Sequence, residues 1–200
     1  MKSYVVVITG ASGSVYGLKL VEQLLLGGAS VTLIVTTAGR EVMAFETGFT
    51  CPEAGLGAAE AVLRFLEVPT TASLRVAGQN DLFDASASGS ALVSAVIACP
   101  ASMGFCGSIA AGLASDLPER AADVMLKERR PLVLVPRETP FSLVHLRNLT
   151  ALSEAGAIVV PASPGFYQKP STIDDLVDFV VGKVLDQLGV EHDLFRRWGV

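Results

Sequence analysis

The chain contains short runs in which every residue is hydrophobic, and these runs constrain the fold more than any other feature. Residues 4–8 and 132–135 are the clearest of them. A strand with no alternation between apolar and polar residues is buried on both faces, which occurs in parallel sheets that helices cover on each side. The segments between the runs carry apolar residues at helical spacing. We therefore predict an α/β fold, built as a three-layer α/β/α sandwich.

The predicted elements begin with a β-α-β unit. Residues 4–8 form its first strand, a glycine-rich turn follows, and residues 15–26 form its helix. Later strands are predicted at 30–35, 74–76, 92–98, 132–135 and 157–160, and later helices at 38–47, 58–67, 108–114, 117–128, 141–155 and 173–188. This order predicts a Rossmann-like, mostly parallel sheet. We expect one domain over residues 1–190 and a C-terminal tail over 191–200, which carries Trp198.

The composition excludes several classes of protein. Half of the 200 residues are hydrophobic and 18% are charged, which is typical of a folded chain. The net charge of -5 disfavours a nucleic-acid-binding protein, since such proteins depend on positive charge. No apolar run reaches membrane-spanning length, so no membrane association is predicted. A monomer with this apolar content would expose large hydrophobic patches, and we therefore expect a homo-oligomer in which they are buried.

The cysteines and histidines are few and show no metal-binding pattern. Cys51, Cys99 and Cys106 lack C-x-x-C spacing, and an odd number does not suit a disulfide framework. This cysteine usage fits a reducing, cytoplasmic location. His145 and His192 are the only histidines, so we predict no metal site.

The segment 127–140 concentrates charge in a chain that otherwise carries little of it. Its sequence is Lys-Glu-Arg-Arg-Pro-Leu-Val-Leu-Val-Pro-Arg-Glu-Thr-Pro. Arg129 and Arg130 are interpreted as a solvated helix end, where cations are favourable. Arg137 and Glu138 follow a buried strand, and ligands of open α/β sheets bind at such strand ends. We therefore expect this pair to serve an anionic ligand, with a structural ion pair as the alternative.

Small polar residues follow the other predicted strands. The turn after the first strand carries Gly10 and Ser12, and Thr36 follows the second. The spacing of the first turn departs from G-x-G-x-x-G, and no acid ends the second strand, which disfavours an NAD-binding oxidoreductase. A mononucleotide phosphate held by Ser12 and Thr36 fits better. A purely structural tight turn remains the alternative.

The motifs taken together resemble the UbiX-type flavin prenyltransferases over nearly the whole chain. In chain order they are Thr9-Gly-Ala-Ser-Gly13 with Tyr16-Gly17, Gln79-Asn-Asp81, Ala87-Ser-Gly-Ser90, Cys99-Pro-Ala-Ser102, Glu119-Arg-Ala-Ala-Asp-Val124, residues 126–140, Pro164-Gly-Phe-Tyr167 and Asp174-Asp-Leu-Val-Asp-Phe-Val180. The stretch 127–140 is the most specific of them.

The resemblance implies a single flavoprotein domain with a metal-independent transferase activity. Such an enzyme joins the dimethylallyl group of dimethylallyl monophosphate to N5 and C6 of reduced FMN and releases phosphate. Its product, prenylated FMN, serves a UbiD-type decarboxylase. The family assembles as a homododecamer with flavin sites between subunits.

The resemblance also implies roles for individual residues. The FMN-binding residues are expected to be Gly10, Ala11, Ser12, Thr36, Ser102, Met103, Gly104, Phe105 and Arg137. The residues around the dimethylallyl donor are expected to be Ser88, Gly89, Lys127, Glu138, Tyr167 and Lys183. Of these, Lys127 and Glu138 are assigned to catalysis together with Glu46. Cations would stabilise the leaving phosphate, Glu138 would give it a proton, and Glu46 would take one from the flavin.

Four positions depart from the family pattern. Lys183 replaces a frequent Arg and Leu82 a frequent aromatic residue, while Ala101 replaces a frequent Cys and Phe105 a frequent Thr. Lysine keeps the charge but lacks the bidentate fork of arginine. We expect these changes to affect donor preference and rate more than the fold.

Two other functions are compatible with the same fold. A flavin-dependent cysteine decarboxylase would carry Pro-Ala-Ser-Ala-Asn-Thr and a catalytic His in the first helix. Here residues 100–105 read Pro-Ala-Ser-Met-Gly-Phe, and no histidine precedes His145. A non-catalytic flavin-binding subunit is the second alternative, in which Glu46, Lys127 and Glu138 would be dispensable.

Overall fold

The computed structural model of this chain describes residues 2–197 and 199 and contains one parallel sheet. Its six strands lie in the order β3-β2-β1-β4-β5-β6, and each neighbouring pair is parallel. The strands are β1 (Ser3–Ile8), β2 (Ser30–Val35), β3 (Leu74–Ala77), β4 (Ala95–Ala101), β5 (Leu132–Pro136) and β6 (Ile158–Val159). The predicted α/β class and parallel sheet are confirmed.

Helices cover each face of the sheet. They are α1 (Ser14–Leu26), α2 (Thr37–Thr47), α3 (Leu56–Phe65), α4 (Met103–Ala110), α5 (Leu117–Lys127), α6 (Leu143–Glu154) and α7 (Ile173–Leu188). One hydrophobic core contains side chains of α1, α2, α3 and α7, and the other contains side chains of α4, α5 and α6. Adjacent residues of β1 point alternately into the two cores, so the strand needs hydrophobic residues at every position.

The strand order reverses between β1 and β4, and hydrogen bonds fix the two strand ends there. The Thr9 hydroxyl donates to the carbonyl oxygen of Pro100 at 2.8 Å, and the Ser102 amide donates to the Thr9 hydroxyl oxygen at 2.7 Å. Thr9 is 2% exposed, so these partners satisfy a buried hydroxyl. A reversal of strand order leaves a crevice at the carboxyl edge of the sheet, where open α/β folds bind ligands.

The predicted helix at 108–114 is misplaced. The structure has β4 continuing through Ala101 and α4 beginning at Met103. The Ser102 side chain accepts a hydrogen bond from the Phe105 amide, which makes Ser102 the N-cap of this helix. The glycines at 104 and 107 hid the first turns of the helix, because glycine disfavours a helix and interrupts the apolar period.

The C-terminal tail packs against α7. Asp186 accepts from Arg197 at 2.9 Å and lies 3.2 Å from His192 Nε2. A Cβ atom on Gly182 would lie 2.4 Å from the Phe195 ring, so the tail approaches the helix backbone closely. Trp198 lies outside the described residues.

No helix in the described part of the chain is long and apolar enough to cross a bilayer.

Gly17 permits close contact between α1 and the sheet, and Gly17→Ala tests this. The new Cβ atom would lie 2.2 Å from the Cys99 carbonyl oxygen and 2.7 Å from Ile8 Cγ1. Because a backbone atom cannot move aside easily, we expect a loss of about 1–3 kcal/mol in the free energy of unfolding. Gly57→Ala on α3 is the control, since its new Cβ meets no atom within 4 Å. Urea denaturation measures both, and equal midpoints would contradict the packing argument.

Candidate functional site

A cleft of about 450 Å³ opens at the carboxyl edge of the sheet. Its lining includes residues that follow β1, β5 and β6 and the first turn of α7. They are Ser12, Gly13, Val15, Tyr16, Glu46, Pro136, Arg137, Glu138, Thr139, Phe141, Pro161, Ala162, Ser163, Ile173, Leu176 and Val177. The volume is in the range of small-ligand sites. Four sequence-predicted site residues, Ser12, Glu46, Arg137 and Glu138, therefore share one cavity.

The glycine-rich turn after β1 forms one wall of the cleft. A Cβ atom on Gly10 would lie 2.7 Å from Cβ of Ala38, so the turn requires glycine to pass the start of α2. Gly13 has a φ of 105°, a left-handed conformation that glycine adopts at little cost. Ala11 is buried, and Ser12 lines the cleft. The backbone of this turn is thus held at the cavity by packing.

Glu46 caps the N-terminus of α1 from the neighbouring helix α2. Its carboxylate accepts from the Gly13 amide at 2.9 and 3.1 Å and from the Ser14 amide at 2.9 Å. Gly13 has no side chain to cap the helix itself, so Glu46 satisfies amides that would otherwise lack a partner. The negative charge also suits the positive end of the helix dipole.

These contacts change the acidity of Glu46. Partial burial raises its pKa, but hydrogen bonds from the Ser12 side chain and from the Ser14 and Gly13 amides outweigh burial. The pKa therefore lies below the usual 4.5, and the side chain is a carboxylate at neutral pH. For Glu46 to accept a proton during a reaction, it must give up some of these donors or use a remaining lone pair.

Arg137 and Glu138 are placed in the cleft by the end of β5. The Arg137 amide donates to the Ala101 carbonyl oxygen at 3.3 Å, which extends the β4–β5 pairing beyond the strands. Glu138 Oε1 accepts from the Thr139 amide at 3.0 Å. Within the described part of the chain, neither Arg137 nor Glu138 forms an ion pair. The alternative prediction, a structural ion pair between Arg137 and Glu138, is therefore wrong.

The other residues expected to contact FMN include two partly buried helix N-caps and two buried residues of the core. Thr36 and Ser102 are the N-caps of α2 and α4, and their hydroxyl oxygens accept from Gly39 and Phe105 amides. Each hydroxyl hydrogen stays available to a ligand. Met103 and Phe105 are 6% and 8% exposed and belong to the core, so a ligand can reach them mainly through their backbone.

Lys127, Ser88 and Gly89 lie at the opposite edge of the sheet from the cleft. Helix α5 runs back along the sheet and ends at Lys127, shortly before β5 begins. A Cβ atom on Gly89 would lie 2.9 Å from Lys127 Nζ, so the loop with Ser88 and Gly89 packs beside this lysine. Lys127 Nζ also lies 2.5 Å from Glu128 Oε1. Because parallel strands start at one edge and end at the other, Lys127 and Glu138 are on different edges.

Arg130 holds the loop that carries Gly89. Its guanidinium donates to the carbonyl oxygens of Gly89 at 2.6 Å, Ala91 at 2.5 Å and Val93 at 3.2 Å. The interpretation of Arg130 as a solvated helix end is therefore wrong, although Arg129 is exposed as expected. A long-range contact of this kind leaves no sign in the local sequence.

Tyr167 and Lys183 lie in a third place. Tyr167 is on the loop before α7, and Lys183 is on α7 itself. The Tyr167 ring meets Phe179 edge-on at 5.6 Å between centroids, and Lys183 Nζ lies 3.7 Å from Asp186. Gln168 donates to the Arg196 carbonyl oxygen at 2.6 Å, which ties this loop to the tail. The residues expected around the donor phosphate therefore occupy three separate places within one chain.

Tyr16 is a cleft residue that the sequence placed in a motif but to which it assigned no role. Its half-buried ring stands on the first turn of α1, and a Cβ atom on Gly13 would lie 2.8 Å from it. Burial raises the pKa of Tyr16 above 10.0, and the charge of Arg137 opposes this increase. The sequence could have identified Tyr16 by its position, because it follows the glycine turn by three residues and lies on the helix face that meets the edge of the sheet.

Among residues 2–197 and 199, no three His, Cys, Asp or Glu side chains are grouped so that they could hold a metal ion. The three cysteines are buried separate thiols, and burial raises the pKa of Cys51 to about 11 and of Cys106 to about 12.

Comparison with known proteins places this site in context. The family model described as Flavoprotein matches residues 1–185. The curated flavin prenyltransferase UbiX of Pseudomonas aeruginosa is 47% identical over 192 residues, which cover 96% of this chain and 91% of the relative.

Two solved structures are similar over the full chain. The first is AnUbiX (PadA1) in complex with FMN and dimethylallyl pyrophosphate, with a TM-score of 0.87, 35% identity, and coverage of 100% of this chain and 98% of that chain. The second is a dodecameric FMN-dependent Ubix-like decarboxylase from Escherichia coli O157:H7, with a TM-score of 0.85, 38% identity, and complete coverage (100%) of each chain.

Glu46→Gln tests the capping contact. The lowered pKa means that the carboxylate stabilises the fold above its unfolded-state pKa near 4.5, and that this contribution is lost as pH falls through the lower folded-state value. We expect the variant to lose about 1 kcal/mol of unfolding free energy at pH 7, as for other caps. At low pH its unfolding free energy should approach that of the wild type.

The control for this test is Glu41→Gln, which removes an exposed charge from the same helix. Urea denaturation across acidic and neutral pH measures the difference between variants. A deficit of Glu46→Gln that stays constant with pH would contradict the assignment to the charged carboxylate.

Proposed function

Since the chain belongs to the Flavoprotein family, we propose that it is a flavin prenyltransferase. It transfers the dimethylallyl group of dimethylallyl monophosphate to reduced FMN. The observation that carries this proposal is the convergence of the glycine turn, Arg137 and Glu138 in one cleft at the carboxyl edge of the sheet. The identity of 47% to a flavin prenyltransferase supports it.

FMN is suited to the carboxyl edge around β1, β2 and β4. The turn with Gly10 and Ser12 offers backbone amides, and Thr36 and Ser102 offer two hydroxyl donors at helix N-termini. Arg137 supplies a fixed positive charge for a phosphate or a flavin oxygen. Reduced FMN supplies the nucleophilic N5 and C6 positions to which the dimethylallyl group becomes attached.

The protein's main chemical task is to help phosphate leave without a metal. The C–O bond of the donor breaks and its electron pair departs with the phosphate, so negative charge grows on the phosphate oxygens. Cationic side chains stabilise this charge, and Arg137, Lys127 and Lys183 are the candidates. The apolar lining of the cleft, which includes Val15, Leu176 and Val177, keeps water away from a cationic allyl group.

Two carboxyl groups are proposed to move protons. Glu138, in its protonated form, gives a proton to the departing phosphate. For ring closure the double bond of the attached group takes a proton from the phosphate, C6 attacks the tertiary carbon, and the proton that C6 then loses goes to Glu46 or back to the phosphate. The hydrogen bonds from Gly13 and Ser14 make Glu46 a weak base, so the phosphate is the stronger candidate as acceptor.

The site is completed by other copies of the chain. Lys127 and Gly89 lie at the amino edge of the sheet and Glu138 at the carboxyl edge, so one chain does not bring them together. Exposed apolar side chains on α6, including Leu143, Val144 and Leu146, offer surface for association. We propose a homododecamer like that of the Escherichia coli relative, in which neighbouring copies bring the two edges into contact.

The product, prenylated FMN, is proposed to serve a UbiD-type decarboxylase, and the enzyme is proposed to work in the cytoplasm. A decarboxylase activity is the second candidate, because the Escherichia coli relative is described as a decarboxylase. A non-catalytic flavin-binding subunit is the third.

The test of the main proposal is anaerobic incubation with reduced FMN and dimethylallyl phosphate, followed by mass measurement of the flavin. An unmodified flavin in folded, flavin-loaded protein would overturn it.

Glu138→Gln is expected to slow product formation by about 100-fold while FMN remains bound, because the amide cannot donate a proton to phosphate in the same way. Single-turnover kinetics with mass detection measures the rate, and flavin absorbance measures the bound FMN. Glu154→Gln, an exposed change at the end of α6, is the control. Turnover equal to the wild type would remove Glu138 from the mechanism.

Mixed oligomers test whether copies share the site. Lys127→Ala and Glu138→Gln are each expected to be nearly inactive alone. Co-expression should restore part of the activity, because some interfaces then pair an intact Lys127 with an intact Glu138. Activity of the mixture no higher than that of the separate variants would contradict a site that needs both edges from different copies.

A further inference from the structure

Tyr16 lines the cleft together with Arg137 and Glu138. Within the described part of the chain its hydroxyl makes no hydrogen bond. Polar groups that are partly buried are normally paired with protein, water or ligand. The hydroxyl is therefore available to whatever occupies the cleft.

The ring that carries this hydroxyl is held in place by packing. The Gly13 Cα lies so close that a Cβ atom there would come 2.8 and 2.9 Å from two ring carbons. The next residue, Gly17, packs against the Cys99 carbonyl oxygen, which fixes the same turn of α1 on the sheet. A donor held by packing loses little conformational entropy on binding, which favours recognition of a ligand.

The surroundings of Tyr16 favour an anion as its partner. Arg137 lines the same cleft and is near enough to influence the phenol electrostatically. Burial raises the pKa of Tyr16, so the phenol keeps its proton at neutral pH and acts as a donor rather than a base. A guanidinium and a protonated phenol at one cavity suit an oxyanion with several acceptor oxygens, such as a phosphate.

We propose that Tyr16 is a catalytic residue whose hydroxyl donates a hydrogen bond to the phosphate group of the dimethylallyl donor, beside Arg137. This inference rests on the proposed function for the identity of the donor. The bond strengthens as negative charge grows on the phosphate oxygens, so it assists departure of the leaving group. No proton leaves the phenol, and Glu138 remains the proton donor.

Tyr16→Phe tests the proposal, because it removes one oxygen and keeps the ring that packs on Gly13. The experiment uses the full-length protein loaded with FMN. Inorganic phosphate is titrated by calorimetry, and kcat and KM for dimethylallyl phosphate are measured anaerobically. We expect about tenfold weaker phosphate binding and a kcat/KM at least about tenfold lower, as for loss of a hydrogen bond to a charged group. FMN affinity should stay within about twofold of the wild type.

Tyr4→Phe is the matched control. Tyr4 is a buried residue of β1 whose hydroxyl also lacks a described partner, but it lies near the amino edge, far from the cleft. Phosphate binding and kinetics of this variant should match the wild type. Thermal melting of both variants reports on folding.

The outcomes separate this inference from the proposed function. If the wild type prenylates no flavin, the proposed function fails, yet weaker phosphate binding by Tyr16→Phe would still support the phosphate contact. Phosphate affinity equal in wild type and Tyr16→Phe, or no phosphate binding by the wild type, would overturn the inference. Loss of FMN affinity with unchanged phosphate binding would also overturn it, because the hydroxyl would then serve the flavin.

Discussion

Burial of both faces of the sheet is the constraint on which the rest of this structure depends. Side chains of β1 such as Val5 and Val6 enter opposite hydrophobic cores, so neither face can hold a ligand or a charge at acceptable cost. Polar groups are consequently confined to the two edges of the sheet and to the turns there. At the carboxyl edge, the segments that follow β1, β5 and β6 line a cleft, and the hydrogen bonds of Thr9 join the ends of β1 and β4.

The two edges carry different parts of the proposed chemistry. The carboxyl edge holds the glycine turn, Arg137 and Glu138, whereas the amino edge holds Lys127 beside Gly89. A parallel strand of five to seven residues separates its ends by roughly 15–20 Å, too far for one ligand contact to span. An enzyme that uses both sets must bring edges of different copies together. Association is thus part of the proposed catalytic design.

The residue type alone does not show what a charged side chain does in the folded protein, because its role depends on the groups that contact it. Glu46 was expected to act as a base, yet its carboxylate caps α1 through Gly13 and Ser14, and these hydrogen bonds lower its pKa. Arg130 was expected to be solvated, yet it binds three carbonyl oxygens of a distant loop. In each case a contact between segments far apart in the chain decides what the charged group does. Sequence spacing carries no information about such contacts.

The sequence by itself determined the fold class, because apolar runs without alternation require a parallel sheet covered on both faces. It also predicted that Ser12, Arg137 and Glu138 would lie at one edge, since parallel strands end together. The tertiary structure alone decided that Lys127 lies at the other edge, that Glu46 is engaged by α1, and that Tyr16 lines the cleft. The physical reason is that strand direction fixes which edge a residue occupies, whereas side-chain partners depend on how helices pack across the sheet.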